Sequence, residues 1–554
     1  MNATSTGAAT DIITIELVKN ALNSAALEMQ ATIERTAYSQ GIREVGDVSS
    51  SMFDARGRLI AQAVAMPVQL AGSGVAMKQV LASFPIETMS PGDIFILNDP
   101  FQGGSHPPDL ILTMPYYLDD ELVGFGCSYA HHTDVGGMSP GSSPPTSTEI
   151  YQEGLLIPPL RLMVRGEWNE TLIGILRTNS RLPDMLLGDV RAQVASLTIG
   201  HERLVEIMRR FGRETIDTAT DELLARTLQG FRRAIEAVPD GVYEFEDFLD
   251  DDGIDRGTPI PIRTAVTIEG DHITVDFTGT SGQVRGSLNC PRANSLSAVY
   301  ATLKLVIDPE DQVANNEGIY EAIDVILPEG SLLNPHAPAA VSSRPETQAR
   351  IGNVVMGAMA KALPQTAVAQ DSGQSAVYRL SGNHPRTGKR FYKNEVIVGG
   401  WGAQSYRNGP DAADFPASNM SNGPVEAIEM DFPVRIERYE LRADSGGEGR
   451  YRGGLGLIRE VRALSDMELS VRAERQIIPP HGIEGGDDGE VGAWIMERAD
   501  GTVEKLADKQ GGLQFRAGDL LRVLTPGGGG YGDPATRSPE DIDRDLRQGK
   551  RSPR

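Results

Sequence analysis

The sequence NDPFQGGSHPPD, residues 98–109, precedes two apolar runs at residues 110–117 and 122–130 that predict neighbouring strands. The second run ends in His131-His132-Thr133-Asp134, and a loop rich in Ser, Pro and Thr leads on to TEIYQEG, residues 148–154. Histidines and carboxylates therefore gather where the strands begin and end. Imidazole and carboxylate side chains are the usual ligands of a borderline divalent metal ion. The pattern predicts a metal site at this end of the strand pair.

The local geometry of this stretch is compatible with a metal centre. His106 and Asp109 are three residues apart in a turn that two prolines stiffen. His131 and His132 are consecutive at the end of a strand, so their side chains point to opposite faces. Only one of them can join His106 and Asp109, and the other is free for acid–base chemistry or for orienting a ligand. The alternative is a set of turn residues held by local hydrogen bonds; the flanking glycines, which allow close backbone approach, favour the site.

The composition indicates an acidic globular protein of several domains. A chain of 554 residues suggests roughly three to four domains. The 52 basic and 76 acidic residues give a net charge of −24, which argues against nucleic-acid binding because that requires a basic surface. With only Cys127 and Cys290, no disulfide framework is expected, and both are predicted to be small buried side chains.

The distribution of apolar residues argues against membrane insertion and secretion. No apolar run reaches about 18 residues, the length that a membrane span requires. Residues 1–10 are small and polar, without the basic and apolar segments of a secretory signal. We therefore expect a cytoplasmic protein.

Apolar periodicity predicts a mixed N-terminal region, residues 1–238, that holds the metal site. The predicted helices lie at residues 11–38, 72–84, 172–176, 185–211 and 217–238. The predicted strands lie at residues 47–54 and 59–64, which form a hairpin, and at residues 94–97. Residues 155–164 are interrupted by prolines and are expected to form a loop.

The rest of the chain predicts an α+β protein whose C-terminal part is largely β. Residues 239–366 are expected to form a middle α+β domain, with helices at 297–307 and 346–363. Residues 367–535 are glycine-rich and predict strands and turns, and residues 536–554 predict a short charged helix with a frayed end.

Two glycine tracts stand out in the C-terminal part, at residues 444–456 and 526–532. No helix follows the second tract, so it lacks the helix N-terminus that would bind a phosphate. We expect it to be a structural turn or a contact with another subunit.

Several separate motifs together resemble the hydantoinase B/oxoprolinase family, the B subunits of ATP-dependent hydantoinases, oxoprolinases and lactamases. The resemblance extends from Ile15 to Gly549. In addition to residues 98–109 and 148–154, the motifs are RTAYS at 35–39, DVSSSMFD at 47–54, AHHTDVGG at 130–137, NGPVE at 422–426, DSGGEGRYRGG at 444–454 and PGGGGYG at 526–532.

The resemblance implies a divalent metal ion bound by a His-x-x-Asp element and by a later histidine. The matching residues here are His106, Asp109 and His131. Lactam-hydrolysing members add an aspartate from the strand after the first helix, which matches Asp47. Two histidines and two aspartates suit Zn(II), or Mn(II) if water expands the coordination shell.

His132 is then the candidate for acid–base catalysis or for supporting a metal ligand. A carboxylate commonly orients such a histidine. Asp134 and Glu153 are the two candidates for that carboxylate.

The resemblance also implies an A-type partner subunit that binds ATP–Mg and hydrolyses it, in an assembly with two copies of each chain. The chain itself contains no G-x-x-x-x-G-K-[ST] phosphate loop. DVGGM at residues 134–138 is superficially similar to the phosphate loop of actin-like ATPases, but Met138 stands where that loop has Thr. We expect ATP to bind to the partner, and we expect neither a nucleic acid nor a membrane as a further partner.

The expected activity is hydrolysis of a lactam, hydantoin or 5-oxoproline-like ring. Opening an unstrained cyclic amide can be thermodynamically uphill, which explains coupling to ATP. A metal ion would polarise the carbonyl and lower the pKa of water. Two alternatives remain: the B-type subunit of an ATP-dependent ketone carboxylase, as in the related acetone and acetophenone carboxylases, and a non-catalytic scaffold. The length of the chain favours the hydrolase.

Overall fold

The computed structural model describes residues 11–63, 66–416, 418–420 and 422–553. The expected absence of a secretory signal in residues 1–10, the predicted strand end at Val64 and the chain end at Arg554 lie outside these ranges. Within the described ranges, no helix is long and apolar enough to cross a membrane. A cytoplasmic location stays a prediction.

The N-terminal region mixes helices and strands, as predicted, and its strands form one large sheet. Its helices are α1 (Ile12–Thr36), α2 (Leu70–Ser83), α3 (Glu170–Asn179), α4 (Pro183–Phe211) and α5 (Arg213–Glu236). Its strands are β1 (Val48–Phe53), β2 (Leu59–Ala63), β3 (Ile94–Leu97), β4 (Asp109–Leu118), β5 (Glu121–His131), β6 (Leu160–Val164) and β7 (Glu167–Trp168). The predicted helices and the β1–β2 hairpin are confirmed. Asp11 begins α1 because its carboxylate accepts hydrogen bonds from the backbone N–H groups of residues 13 and 14.

The strands of this sheet pair antiparallel in the order β2-β1-β5-β4-β3-β6-β7. Leu110 and Leu112 belong to the core that the sheet shares with α1 and α4. Ile111 and Tyr129 belong to the core on the opposite face, beneath α2. Strand alternation therefore places Asp109, at the start of β4, on the α2 face.

The middle region covers that face. Its helices are α6 (Arg292–Ile307) and α7 (Arg344–Ala362), and its strands are β8 (Gly241–Leu249), β9 (Ile260–Glu269), β10 (His272–Asp276) and β11 (Ile323–Ile326). β8, β9 and β10 pair antiparallel, and β11 joins β10 in parallel. α7 packs on β8 and β9, while α6 contacts α2 of the first region. This packing brings the first residue of α7 to the metal stretch.

The C-terminal region is a sandwich of two sheets. Its strands are β12 (Ala376–Asn383), β13 (Arg390–Ile397), β14 (Val434–Leu441), β15 (Leu457–Ala463), β16 (Met467–Arg472), β17 (Ala493–Glu497), β18 (Val503–Lys505), β19 (Lys509–Phe515) and β20 (Leu520–Leu524). The sheets have the orders β13-β12-β16-β19 and β14-β15-β20-β17-β18. Tyr378, Trp494 and Val523 lie in the core between them. Two short helices, α8 (Val425–Asp431) and α9 (Pro539–Arg547), complete the region.

The two glycine tracts pack against each other. Gly447 N–H donates to the carbonyl of Gly528 over 2.9 Å. A Cβ atom added at Gly528 would lie 1.9 Å from the carbonyl oxygen of Trp401. Both tracts are therefore structural, since only residues without a side chain allow this approach.

Two predictions of local structure are wrong, and one helix was missed. Residues 155–164 are not all loop, because β6 lies within them and pairs with β3. Helix α8 was not predicted. The chain end is not frayed over its described part: Lys550 and Arg551 form ion pairs with Asp411 at 2.8 Å and Glu448 at 2.9 Å. The division into domains after residues 238 and 366 falls between the sheets and stays a prediction.

Candidate metal centre

A buried asparagine fixes the turn that carries His106. The amide nitrogen of Asn98 donates to the carbonyls of Pro107 and Leu155, and its oxygen accepts from the N–H of Ile157. Gly104 follows closely, where a Cβ atom would lie 2.3 Å from the Asn98 carbonyl oxygen. The NDPFQGG sequence therefore forms a tight turn that returns His106 towards the start of β4.

His106, Asp109 and His131 converge on one point. The β4–β5 register places Asp109 directly opposite His131, so both side chains leave the same face of the sheet. His106 Nε2 lies 2.9 Å from Asp109 Oδ1 and 3.1 Å from His131 Nδ1. His131 Nδ1 lies 2.8 Å from the same Asp109 oxygen. All three could bind one metal ion.

The electrostatics of this triangle suit a cation. Burial lowers the pKa of His106 to about 3, so its imidazole is neutral. Burial acts to raise the pKa of Asp109, but the neighbouring His106 and Arg344, together with hydrogen bonds from His106 and His131, hold that pKa well below its usual range. Burial likewise acts to lower the pKa of His131, but the hydrogen bond to Asp109 and the charge of Asp47 outweigh it. Two imidazole nitrogens and a carboxylate oxygen thus meet at one point, which is a donor set that a divalent ion can use.

The second oxygen of Asp109 is held by two groups that the sequence analysis missed. Arg344 Nη2 donates to Asp109 Oδ2 over 2.7 Å, and the Tyr129 hydroxyl donates to the same oxygen over 3.0 Å. These bonds leave Oδ1 directed at the histidines. Tyr129 is two residues before His131 on β5, so alternation offered a signal for it. Arg344 comes from α7, 235 residues away, and nothing local in the sequence indicates its role.

Asp47 lies beside the triangle but outside the group of three. Its backbone carbonyl accepts the N–H of His131, and its Oδ1 accepts from Gln69 Nε2 over 3.0 Å. Burial raises the pKa of Asp47. Its part in metal binding stays a prediction, supported by its place in the same cavity as His106 and His131.

The cavity lies between the first sheet, α7 and the C-terminal sandwich. It has about 620 Å³ of empty space and opens to solvent. Three arginines line the cavity in addition to the candidate metal ligands. Its polar lining is Asp47, Gln69, His106, His131, Ser143, Asn294, Arg344, Gln348, Ser375, Arg379, Asn394, Ser418 and Arg472. The site is therefore assembled from all three regions of the chain.

His132 points to the opposite face, as predicted. It is fully buried, and its Nε2 lies 2.9 Å from Gln193 Oε1 on α4. Gln193 uses its amide nitrogen to donate to the carbonyls of Leu110 and Ser128, so the histidine must be the donor in this bond. His132 does not line the cavity. Its position indicates a role in packing the sheet on α4.

The prediction that Asp134 or Glu153 orients His132 is wrong, because both carboxylates are engaged elsewhere. Asp134 pairs with Arg181 at 3.1 Å and accepts backbone N–H groups of its own loop. Glu153 accepts from the N–H groups of residues 341 and 342, both over 2.9 Å, and so fixes the segment that leads into α7. A direct part in catalysis for His132, Asp134 or Glu153 stays a prediction that this geometry does not support.

The fold and the buried His-Asp-His cluster define a multi-region α+β protein with a candidate metal centre in an open cavity. The hydantoinase B/oxoprolinase family matches residues 11–534, and the chain belongs to that family. The predicted resemblance is confirmed.

Three known proteins show how far the similarity extends. The chain is 32% identical to a protein assigned as the B subunit of a D-/L-hydantoinase from Pseudomonas sp. strain NS671, over 97% of this chain and 93% of that protein. Its structure is similar to the ATP-dependent caprolactamase of Pseudomonas jessenii, with a TM-score of 0.92 and 31% identity over 100% of this chain and 95% of the other. An acetone carboxylase in its nucleotide-free form matches with a TM-score of 0.88 and 19% identity, over 97% of this chain and 78% of the other. This match shows a shared fold alone.

At the level of the family, the prediction of a hydrolase is confirmed. Hydantoinases, caprolactamases and 5-oxoprolinases are enzymes that open cyclic amides. The naming of one relative as a B subunit also agrees with a multi-subunit assembly.

Proposed function

We propose that this chain is the metal-binding subunit of an ATP-dependent cyclic amidase, which opens a lactam, hydantoin or 5-oxoproline-like ring. The observation that carries the proposal is the convergence of His106, Asp109 and His131 on one point in the wall of an open cavity. A metal-dependent hydrolase uses such a site to activate water, whereas a non-catalytic scaffold has no use for one.

His106 Nε2, Asp109 Oδ1 and His131 Nδ1 would hold the ion, and Asp47 is the candidate for a fourth ligand. This donor set suits Zn(II), or Mn(II) with additional water. When bound, the ion would polarise the amide carbonyl and lower the pKa of a water molecule.

The remaining residues prepare the site. Arg344 and Tyr129 fix the orientation of Asp109 by occupying its Oδ2. Gln69 orients Asp47 in a similar way, because its Nε2 donates to Asp47 Oδ1. Because these contacts are already formed in the folded chain, the ligands need little reorganisation to bind an ion.

ATP would be consumed by a partner A-type subunit, in an assembly of two copies of each chain. Support comes from the missing P-loop motif and from the subunit naming of the relatives. The DVGGM segment does not resemble a nucleotide site in its contacts, since Asp134 is tied to Arg181 and the Gly137 carbonyl accepts from the same arginine.

Purification of the chain alone and together with an A-type subunit tests the proposal. Inductively coupled plasma mass spectrometry should find about one Zn or Mn ion per chain. ATP consumption should require both subunits and a cyclic amide. A screen over hydantoin, 5-oxoproline, caprolactam and acetone with bicarbonate identifies the substrate class. The proposal would be overturned by robust ATPase activity of the chain alone or by an active complex that contains no metal. It would also be overturned if the complex used acetone and bicarbonate and none of the cyclic amides.

A further inference from the structure

We propose that Arg379 binds an anionic oxygen group, a carboxylate or a phosphoryl group, on the molecule that reacts in the metal cavity, and that the neighbouring Asn394 accepts a hydrogen bond from the same molecule. The inference rests on the proposed function and adds the part of the ligand that this chain recognises. It is carried by Arg379, a buried arginine in the wall of the cavity, two of whose nitrogens have no hydrogen-bond partner among the described residues.

Strand geometry places the two residues side by side. Arg379 on β12 is paired directly with Asn394 on β13. The residues that flank Arg379, Tyr378 and Leu380, lie in the sandwich core. Alternation therefore turns Arg379 and Asn394 to the other face of the sheet, where both line the cavity with Asp47, His106 and His131.

Arg379 differs from the other arginines of the cavity. Arg344 pairs with Asp109 at 2.7 Å, and Arg472 pairs with Glu346 at 2.9 Å. Arg379 is 6% exposed, yet its Nε and Nη1 are buried without a hydrogen-bond partner in the described part of the chain. Its neighbour is the Tyr392 hydroxyl, whose pKa is raised by burial in opposition to the charge of this arginine.

A buried guanidinium with free donors is costly in the absence of a ligand. The Nε–H and Nη1–H groups of Arg379 can each donate a charge-assisted hydrogen bond to a carboxylate or phosphoryl oxygen. The Asn394 amide oxygen is also buried without a partner, and it can accept the N–H of a cyclic amide. The cavity thus has the candidate metal ligands on one wall, and on another wall polar groups that can bind the anionic oxygen and the N–H of a substrate.

Calorimetric titration of the isolated chain with inorganic phosphate and with acetate, in saturating Zn(II) and in chelator, tests the anion site. The parent chain should bind at least one of the two anions. Arg379→Met should weaken binding by about 10- to 100-fold, the loss expected for charge-assisted hydrogen bonds, and Arg379→Lys should weaken it less. His131→Ala should keep the binding while it loses the metal. Equal binding by parent and Arg379→Met, or no binding by the parent, would overturn the inference; loss in His131→Ala alone would place the anion on the metal ion instead.

Thermal stability separates a ligand site from a structural cation. Because Arg379 has unpaired buried donors, Arg379→Met should leave the Tm of the ligand-free chain unchanged or higher. Arg472→Met is the matched control, since it removes a paired arginine from the same cavity, and its Tm should fall. A fall in Arg379→Met as large as in Arg472→Met would contradict a ligand role.

Kinetics of the complex with its A-type subunit distinguish the two sources of the anion. If Arg379 binds a substrate carboxylate, Arg379→Met should lower kcat/KM for 5-oxoproline and not for neutral caprolactam. If it binds a phosphoryl group of an activated intermediate, both substrates should be affected alike. Unchanged values for both would overturn the inference. Metal content is measured in parallel: a chain without metal defeats the proposed function, while the titrations still decide the anion site.

Discussion

Replacing Arg344 with Met should destabilise the metal-free protein far more than the metal-loaded protein. Arg344 Nη2 lies 2.7 Å from Asp109 Oδ2, and the side chains are only 9% and 2% exposed. Methionine retains much of the aliphatic stem but removes the charge. The ionised Asp109 would then be buried, with the neutral Tyr129 hydroxyl as the remaining donor to that oxygen.

The magnitude follows from the cost of an unpaired buried charge. Removing one partner of a buried ion pair costs about 3–5 kcal/mol. Coulomb's law gives about 4 kcal/mol for unit charges about 4 Å apart at an effective dielectric constant of about 20, which agrees. At about 2–4 °C per kcal/mol for a cooperative unit of about 150–250 residues, the Tm should fall by roughly 6–20 °C.

A bound divalent ion should reduce this loss to less than half. The ion supplies positive charge to Asp109 and is itself repelled by the guanidinium of Arg344. By linkage, a variant that is less destabilised with metal than without it must bind the metal more tightly than the parent does. Arg344→Met should therefore show a larger metal-induced rise in Tm than the parent.

Scanning calorimetry in chelator and in saturating Zn(II) measures both quantities. Arg350→Met is the matched control, because Arg350 also lies on α7 and is fully buried, but it pairs with Asp247 at 3.1 Å and touches none of the three ligands. Its loss of stability should be the same with and without metal. If Arg344→Met also lost the same stability in both conditions, the assignment of Asp109 as a metal ligand held by Arg344 would be refuted.

Three further predictions concern other parts of the chain. His131→Ala should lose the metal and His132→Ala should retain it, because the two side chains lie on opposite faces; plasma mass spectrometry of both variants checks this. Burial raises the thiol pKa of Cys127 and of Cys290 to about 12, so Ellman's reagent at pH 8 should label no thiol until the protein is unfolded, and then two. Gly528→Ala should destabilise by about 1–3 kcal/mol or more, since its Cβ would meet the Trp401 carbonyl, whereas the matched Gly174→Ala, open and in helix α3, should stabilise by about 1 kcal/mol; denaturant unfolding measures both.

Local patterns in the sequence were sufficient to predict most of the secondary structure and the candidate ligands His106 and Asp109. Helical periodicity located α1, α4 and α5, and continuous apolar runs located β4 and β5. These signals are informative because a helix with one buried face repeats its apolar residues at a fixed spacing, while a strand buried on both faces forms a short continuous apolar run. The prediction of a loop at residues 155–164 failed because prolines there obscured the short strand β6.

The roles of neighbouring side chains could not be predicted in the same way. His132 was correctly turned away from His131 by alternation, but its partner Gln193 belongs to another helix, and so the wrong carboxylates were proposed to orient it. Glu153 was named for its place in a motif, yet its bonds go to backbone 188 and 189 residues further on. Proximity in sequence does not report such contacts.

The sequence alone therefore predicted the α+β class and placed His106 and Asp109 beside one of the two histidines His131 and His132, because these depend on short-range spacing; the resemblance to the family selected His131. Only the tertiary structure decided what surrounds these residues. Arg344 reaches Asp109 from 235 residues away, and Arg379 reaches the same cavity from a third region of the chain. Such residues carry no local pattern, since their positions are fixed by how separate sheets and helices pack on one another.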